Sequence, residues 1–141
     1  MTGKRTDDIV EISQTCARYA VTITCGDIPG LVAVFTPDGT YSAFGDTYSL
    51  ARFPALVAAA PKGLFLTGTP AVTFTGEDTA TGVTTLAVVD DHTHDMRIGY
   101  YHDTYVRTGQ GWRLRTRSMT FIRRNGEHNS GRPHAYQPAP S

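Results

Sequence analysis

The chain has 141 residues, which is enough for one domain with its own hydrophobic core. Hydrophobic residues make up 40% of the chain, and 13 Lys and Arg balance 13 Asp and Glu, so the formal net charge is zero. A nucleic-acid binder or a protein that binds anionic membranes needs a basic excess, so the balanced charge argues against both partners.

The first predicted element is an amphipathic helix. Apolar residues from Ile9 to Ile23 recur at steps of three and four, which is the spacing of one helical face. Thr6 precedes this pattern and is expected to cap the helix, while Gly26 follows it and is expected to end it.

Two cysteines and a polar turn bear on redox state and metal binding. Cys16 and Cys25 lie nine residues apart in the predicted helix and point to opposite sides, which excludes a disulfide between them. Their spacing fits no zinc site, and the Asp90–Asp95 turn (DDHTHD) matches no standard metal site. The chain shows no apolar run of membrane-spanning length and no signal-peptide core at its start. We therefore expect a cytoplasmic protein with reduced thiols, no metal and no membrane partner.

Short elements should follow the first helix. Asp27 is expected to cap a second helix through its side-chain oxygen. The segment Thr36-Pro37-Asp38-Gly39 predicts a turn, because Pro fixes φ and Gly permits a positive φ. A strand from Thr40 to Phe44 comes next, and Ser49 is expected to cap a third helix that ends at Ala60.

The remaining segments are predicted to form an antiparallel sheet. They are rich in Val, Thr and aromatic residues and are separated by short polar turns, which is typical of strands joined as hairpins. Helices that precede a run of strands indicate an α+β domain rather than a βαβ fold. The four predicted strands are Leu64–Thr75, Thr79–Val89, Arg97–Thr108 and Trp112–Arg123.

The end of the chain changes character. Arg113, Arg115 and Arg117 alternate along the last strand and predict one basic stripe that is solvated or ion-paired. From residue 125 onward the sequence is rich in Pro, Gly and polar residues without periodicity. We therefore expect one domain over residues 1–124 and a flexible tail or extended arm over residues 125–141.

Three stretches of the chain form a recognisable set of motifs. They are Arg18-Tyr19-Ala20 with Cys25-Gly26-Asp27, the segment from Leu31 to Thr40, and Gly99–Asp103 with Trp112-Arg113-Leu114 and Arg117. In this order they resemble the SnoaL-like branch of the nuclear-transport-factor-2-like (NTF2-like) superfamily. The resemblance implies a cone-shaped fold, with N-terminal helices on a curved antiparallel sheet around a mostly apolar pocket. It also implies a homodimer that pairs through the sheet. No glycine fingerprint for a dinucleotide and no P-loop is present, so no cofactor is expected.

The resemblance also implies where an acid–base pair would lie. Dehydratase-like relatives carry an aspartate near the end of the first helix and a histidine on the first long strand, and the pair moves a proton. These positions correspond to Thr24 and Phe65, whose side chains transfer no proton near neutral pH. The pocket is therefore expected either to bind without catalysis or to rely on other residues and on shape.

Two residues of the first helical region are further candidates. The resemblance places Tyr19 on the pocket wall, where its hydroxyl could bond a carbonyl oxygen, the alternative being a core aromatic on the helix face. Asp27 could act as a base only if it turned inward instead of capping the second helix.

The third predicted strand carries another group of candidates. Tyr101 and Asp103 share one face of this strand, and His102 lies on the other. Asp103 is expected to pair with Arg117 on the next strand, the alternative being a catalytic acid. His102 could serve as a relocated base, or could lie at the surface or an interface.

We therefore interpret the chain as a SnoaL-like pocket protein for a small, largely apolar, ring-containing ligand. If it is an enzyme, the resemblance implies cofactor-independent cyclisation, isomerisation or dehydration of a polyketide, steroid or similar ring compound. The alternatives are a non-catalytic ligand-binding or dimerisation module and a subunit that scaffolds a larger enzyme. The residues expected to act on the ligand are Tyr19, Thr24, Asp27, Tyr101 and His102, and those expected to line the pocket are Tyr41, Phe65, Thr67, Asp103 and Trp112.

Overall fold

A computed structural model describes residues 4–43 and 45–130 of the chain. Helix α1 spans Thr6–Cys25, helix α2 spans Ile28–Ala33 and helix α3 spans Phe53–Ala59. None of these described helices is both long and apolar enough to cross a membrane. The described strands are β1 (Phe35–Ala43), β2 (Asp46–Ser49), β3 (Gly63–Thr67), β4 (Ala71–Phe74), β5 (Thr79–Asp90), β6 (Met96–Thr108), β7 (Gly111–Ile122) and β8 (His128–Ser130).

The strands form one sheet in the order β2-β1-β7-β6-β5-β3, in which β4 also pairs with β5 and β8 also pairs with β7. All neighbouring strands run antiparallel except β1, which runs parallel to β7. The long strands β5, β6 and β7 form the antiparallel meander that the sequence predicts. The α+β class, with helices before the meander, is therefore confirmed.

Helix α1 packs on the inner face of this sheet. Its residues Ile12, Cys16 and Tyr19 recur at steps of four and three and are all buried. Tyr101 and Leu114, from β6 and β7, belong to the same core cluster. Side chains three or four residues apart share one face of a helix, and alternate side chains share one face of a strand. The apolar faces of α1 and of the sheet therefore pack together in a single layer.

Some predicted helix ends differ from the structure. Arg5, not Thr6, precedes the first turn of α1, and no side chain caps that end. Gly26 ends α1 as predicted, in the left-handed conformation with a φ of 76°. The prediction that Ser49 caps a helix is wrong, because this residue ends β2, which the sequence did not reveal. Helix α3 begins later, with Pro54 in its first turn, where the missing N–H costs no hydrogen bond.

The strand boundaries differ as well. Residues 36–39, predicted as a turn, lie within β1, where the register against β7 is irregular. The predicted strand 64–75 is divided into β3 and β4 by Gly68-Thr69-Pro70, because proline cannot donate a ladder hydrogen bond. Residues 128–130 form β8, inside the segment predicted as a tail. The rest of that tail, residues 131–141, lies outside the described residues, as does Phe44.

Asp8 attaches the start of α1 to the β6–β7 hairpin. Its Oδ1 accepts hydrogen bonds from Trp112 Nε1 at 3.0 Å and from Arg107 Nη1 at 2.8 Å. Burial opposes ionisation of Asp8, but the hydrogen bonds from Arg107 and Trp112 outweigh it and hold the pKa of this carboxyl below its ordinary value. Glu11 Oε1 adds a second attachment by accepting the backbone N–H of Trp112 at 2.7 Å. We call this end of the sheet, at Asp8, Arg107 and Trp112, the base.

We predict that Asp8→Asn lowers the free energy of unfolding by about 2 kcal/mol near neutral pH, because it weakens charge-assisted hydrogen bonds at the base. Since the folded state lowers the pKa of Asp8, its contribution is complete above the unfolded pKa and is lost as pH falls through the folded pKa. Urea unfolding at about pH 7 and about pH 3 should therefore show a difference between the two proteins that shrinks in acid.

Asp7→Asn is the matched control, since Asp7 is the exposed neighbour of Asp8 in the same helical turn. An equal loss of stability in Asp7→Asn, or a difference that persists unchanged in acid, would contradict the assignment of this role to Asp8.

Candidate functional site

An ion pair lies inside the apolar core, where β6 faces β7. Asp103 and Arg117 occupy directly opposite positions on these strands. Arg117 Nε donates to Asp103 Oδ1 and Arg117 Nη2 donates to Asp103 Oδ2, both at 2.8 Å, and both side chains are 0% exposed. The predicted pair is therefore confirmed, with a bidentate geometry that compensates the cost of burying two charges.

Neighbouring polar groups complete the Asp103 side of the pair. The Tyr105 hydroxyl donates to Asp103 Oδ2 at 2.9 Å. The thiol of Cys16 lies 3.6 Å from that hydroxyl and 3.7 Å from Arg117 Nη2. Burial raises the pKa of the Cys16 thiol, so this group stays protonated near neutral pH. Thr84 Oγ1 on β5 also donates to Asp103 Oδ2, at 3.5 Å, so Asp103 is engaged by donors from three strands.

Two tyrosine rings contact the guanidinium of Arg117. Its central carbon lies 3.8 Å from the ring centroid of Tyr101 and 4.3 Å from that of Tyr19. Burial lowers the pKa of a guanidinium, but Asp103 overcomes this effect and holds the pKa of Arg117 above its ordinary value. Arg117 is therefore a permanent buried cation that contacts two aromatic rings and is bound by Asp103 along one edge.

The remaining edge of Arg117 has a different status. Nη1 is buried and donates no hydrogen bond to any described residue. Buried donors in proteins are nearly always paired, so an unpaired one calls for a physical explanation. Among the described residues, it is the buried side-chain donor that lacks a hydrogen-bond partner.

The hydroxyls of Tyr19, Tyr41 and Tyr101 are close enough to influence each other's ionisation. Burial is the largest cause that raises the pKa of each of these phenols, and the Arg117 cation opposes the rise at all three. They consequently remain neutral hydroxyls, which can donate to a ligand oxygen. Gly82 makes room nearby, since a Cβ there would lie 2.9 Å from the Tyr105 hydroxyl.

The two positions at which relatives carry the acid–base pair meet in this structure. Thr24, at the end of α1, accepts the backbone N–H of Phe65 on β3 through its Oγ1 at 3.0 Å. Phe65 is half-buried on the inner side of the sheet. The adjacency fits the resemblance, but the contact here ties a helix to a strand. We call this end of the sheet, opposite the base, the mouth.

The structure places three other candidates away from Arg117. Asp27 is exposed, and its Oδ1 accepts the N–H of Gly30 at 3.0 Å, so it caps α2 as predicted. His102 is exposed on the outer face of β6, opposite Tyr101 and Asp103. Trp112 is fully buried at the base. Of the remaining wall candidates, Tyr41 is buried in the core, and Thr67 is half-buried on β3.

The predicted basic stripe on β7 is wrong. Thr104 pairs with Thr116 and Tyr105 pairs with Leu114, which leaves Arg115 as an extra residue in β7. This bulge changes the alternation, so that Leu114 and Arg117 both point inward while Arg115 is exposed. The alternating arginines therefore did not predict that Arg117 points into the core, although its pairing with Asp103 was predicted.

Two further features lie away from Arg117. A groove of about 380 Å³ lies on the outer face of the sheet and is lined by hydroxyl-bearing residues and His102. In the β5–β6 turn, Asp90 Oδ1 accepts the backbone N–H groups of His92 and Thr93 at 2.8 and 2.9 Å. These hydrogen bonds give the acidic residue at the start of the turn a structural role.

We predict that Asp103→Asn lowers the free energy of unfolding by about 3–5 kcal/mol, because it leaves the Arg117 cation buried without a counter-charge. The double variant Asp103→Leu/Arg117→Met should recover most of this loss, since apolar side chains of similar size pay no desolvation cost. Urea unfolding followed by circular dichroism measures both effects.

Asp38 and Arg115 supply the matched control, an exposed pair with a distance of 2.9 Å. Asp38→Asn should change stability very little, because solvent screens the charges. If this substitution cost as much as Asp103→Asn, burial would not be the source of the effect.

Comparisons with known proteins agree with this architecture. Residues 4–118 match the family described as the SnoaL-like domain. A comparison with the curated proteins gives no match. A variant of Rv3472, a protein of unknown function from Mycobacterium tuberculosis, is 25% identical, with a TM-score of 0.75 over 83% of this chain and 77% of that chain.

Two solved structures from Novosphingobium aromaticivorans are also similar. One is an NTF2-like protein with a cystatin-like fold, 27% identical, with a TM-score of 0.70 over 79% of each chain. The other is provisionally named a scytalone dehydratase and is 14% identical, with a TM-score of 0.78 over 97% of this chain and 99% of that chain. The second likeness concerns the fold alone. Because the family match covers most of the chain and the solved structures share its architecture, this protein belongs to the SnoaL-like domain family and has the cone-shaped NTF2-like fold.

Proposed function

We propose that the protein binds a small, largely apolar ring compound inside its cone and holds an oxygen atom of that compound against Arg117. The observation that carries this proposal is the buried Nη1, which lacks an acceptor among the described residues. Because Asp103 holds the opposite edge of the guanidinium, Nη1 is oriented before a ligand arrives. A carbonyl oxygen is the acceptor that suits this donor and the neighbouring tyrosine hydroxyls best.

The inner surface between Arg117 and the mouth suits the apolar part of such a compound. Leu86, Met119 and Phe121 belong to the buried core cluster, and Phe65 packs against it from β3. A surface of this kind binds rings through area removed from water, at about 25 cal/mol per Å². The hydrogen bond from Arg117 would set the orientation of the ligand, because the edge of the ring that carries the oxygen must enter the cone first.

Two functions compete on this site. A guanidinium and phenol hydroxyls around a carbonyl oxygen stabilise the negative charge that develops in enolate-forming reactions, which supports cofactor-independent isomerisation, cyclisation or dehydration. The positions at which relatives carry an acid–base pair hold Thr24 and Phe65, and Asp103 is engaged by Arg117. This arrangement favours non-catalytic binding, or catalysis of a reactive substrate that needs only orientation.

The binding proposal is tested with 1-tetralone and tetralin, two ring compounds that differ by one carbonyl group. We expect 1-tetralone to bind about tenfold more tightly, the equivalent of one net hydrogen bond. Tyr19→Phe and Tyr101→Phe should each reduce this preference severalfold, because each removes one hydroxyl donor. Displacement of the fluorescent probe N-phenyl-1-naphthylamine measures the affinities.

Tyr100→Phe is the matched control, because Tyr100 lies on the outer face of β6 beside His102. A preference that is absent in the native protein, or equally reduced by Tyr100→Phe, contradicts the proposal. Proton exchange next to the carbonyl, followed by NMR in heavy water, separates the two functions. Exchange faster than in buffer supports an enzyme, and exchange at the buffer rate supports a binding module.

We also propose that two copies pair through the outer face of the sheet. Leu66, Ala87 and Ile98 lie side by side on β3, β5 and β6 and form one apolar row. Leu66 and Ile98 are 50% and 43% exposed, and Met96 in the next row is 61% exposed. Exposed apolar rows of this kind mark interaction surfaces. Because the formal net charge is zero, two copies do not repel each other.

We predict that Ile98→Asp converts a dimer into a monomer, as measured by sedimentation velocity, without lowering the melting temperature. Val21→Asp is the control, since Val21 is 61% exposed on α1 rather than on the sheet, and it should leave the dimer intact. A native protein that sediments as a monomer at tens of micromolar concentration would refute the homodimer. A surface that contacts the other subunits of a larger enzyme would then be the remaining proposal for this face.

A further inference from the structure

The segment from residue 50 to residue 61 crosses the open side of the sheet. It leaves β2, which ends at Ser49, and leads to β3, which begins at Gly63. These two strands stand at opposite ends of the strand order, so the chain passes from one edge of the sheet to the other. Gly63 pairs with Asp90, the last residue of β5, so the crossing reaches β3 at the mouth. We call residues 50–61 the crossing segment.

One wall of the inner site lies beneath this segment. Phe53, the first residue of α3, is buried, and its ring centroid lies 4.9 Å from that of Tyr41 and 5.7 Å from that of Phe35. Burial raises the pKa of Tyr41 and the cation of Arg117 opposes that rise, so Tyr41 belongs to the surroundings of the cation. Phe53 therefore covers the site from the side of Tyr41.

The inner site is closed in this structure. The side chain of Arg117 is 0% exposed, and Tyr19, Tyr41 and Tyr101 are buried around it. A ligand therefore reaches Nη1 only after a covering element has moved aside. The helices beside these tyrosines are α1, which carries Tyr19, and α3, which packs on Tyr41.

Helix α1 is fixed to the sheet by hydrogen bonds along its length. Thr15 Oγ1 donates to the backbone oxygen of Trp112 at 2.8 Å, and Thr24 accepts the backbone N–H of Phe65. Asp8 adds the hydrogen bonds at the base. Moving this helix would break hydrogen bonds at several points, and buried groups are costly to leave without a partner.

The crossing segment is attached in a different way. The hydrogen bonds that it forms with described residues stay within residues 46–62, and those of Arg52, for example, go to β2. Its attachment to the core is apolar, through Phe53 and through the half-buried Leu56 and Val57. Segments with few buried contacts and exposed hydrogen bonds open locally, at a lower free energy than the whole domain.

We propose that the crossing segment is a lid over the mouth of the cone, and that Phe53 is the latch whose release from Tyr41 admits the ligand to Arg117. This inference rests on the proposed binding function and adds the route of entry. Opening breaks apolar contacts and leaves the hydrogen bonds between Asp103 and Arg117 in place, so the polar site stays oriented while the ligand enters. Phe53 thus sets how fast the site is reached rather than how it holds the oxygen.

Stopped-flow mixing with N-phenyl-1-naphthylamine measures how fast the site is reached. Phe53→Leu keeps a buried apolar side chain but removes the ring that lies against Tyr41, so we expect association about tenfold faster than in the native protein. Phe74→Leu is the matched control, because Phe74 packs against Trp112 at the base, with ring centroids 6.0 Å apart. It should change the association rate by less than about twofold.

Hydrogen exchange of backbone amides, followed by NMR without any ligand, tests the lid on its own. We expect Leu56 and Val57 in α3 to exchange through a local opening that about 1 M urea barely accelerates, because little surface is exposed. Cys16 and Tyr19 in α1 should exchange only with global unfolding, which the same urea accelerates strongly. The native protein is used here, so the test does not depend on how well Phe53→Leu folds.

The possible failures are distinguishable. If α3 exchanges with the same urea dependence as α1, or if Phe74→Leu accelerates association as much as Phe53→Leu, the lid is overturned and the binding function stands on its own test. An unchanged association rate in Phe53→Leu overturns the latch. If α3 opens locally but the native protein binds neither the probe nor 1-tetralone, the binding function fails and the lid remains.

Discussion

The buried ion pair between Asp103 and Arg117 is the constraint to which the rest of the core is adapted. Two charges at 0% exposure are tolerated only where hydrogen bonds replace water, and here these bonds come from facing positions of β6 and β7. Tyr105 and the rings of Tyr19 and Tyr101 then close around the pair. The pair therefore favours one register of β6 against β7, because any shift of that register would separate two buried charges.

The same pair explains why one donor at the deep end of the cone has no partner among the described residues. Asp103 accepts hydrogen bonds from Nε and Nη2 of Arg117. Nη1 is therefore the donor that remains, at a defined place in an apolar surrounding. A hydrogen bond made in such a surrounding is stronger than one made in water. At the two positions where the resemblance implies an acid–base pair, Thr24 and Phe65 form a neutral contact between α1 and β3.

Sequence patterns recovered the parts of the fold that depend on neighbouring residues. The face of α1, the meander, the cap at Asp27 and the opposite faces of Asp103 and His102 all follow from local periodicity. The parallel pairing of β1 with β7 and the existence of β8 depend on contacts between distant segments, which no local pattern encodes. The inward orientation of Arg117 depends on a bulge at Arg115, and no glycine or proline marks that position.

The two ends of the sheet differ in polarity. At the base, Arg107 is bound by Asp8 and Asp78, and Trp112 fills the space behind them, so this end is closed by paired charges. Toward the mouth, α1 ends at a glycine, and Phe65 on β3 and Phe121 on β7 stand at the inner surface. An apolar ring meets less desolvation cost at the mouth than at the ion pairs of the base.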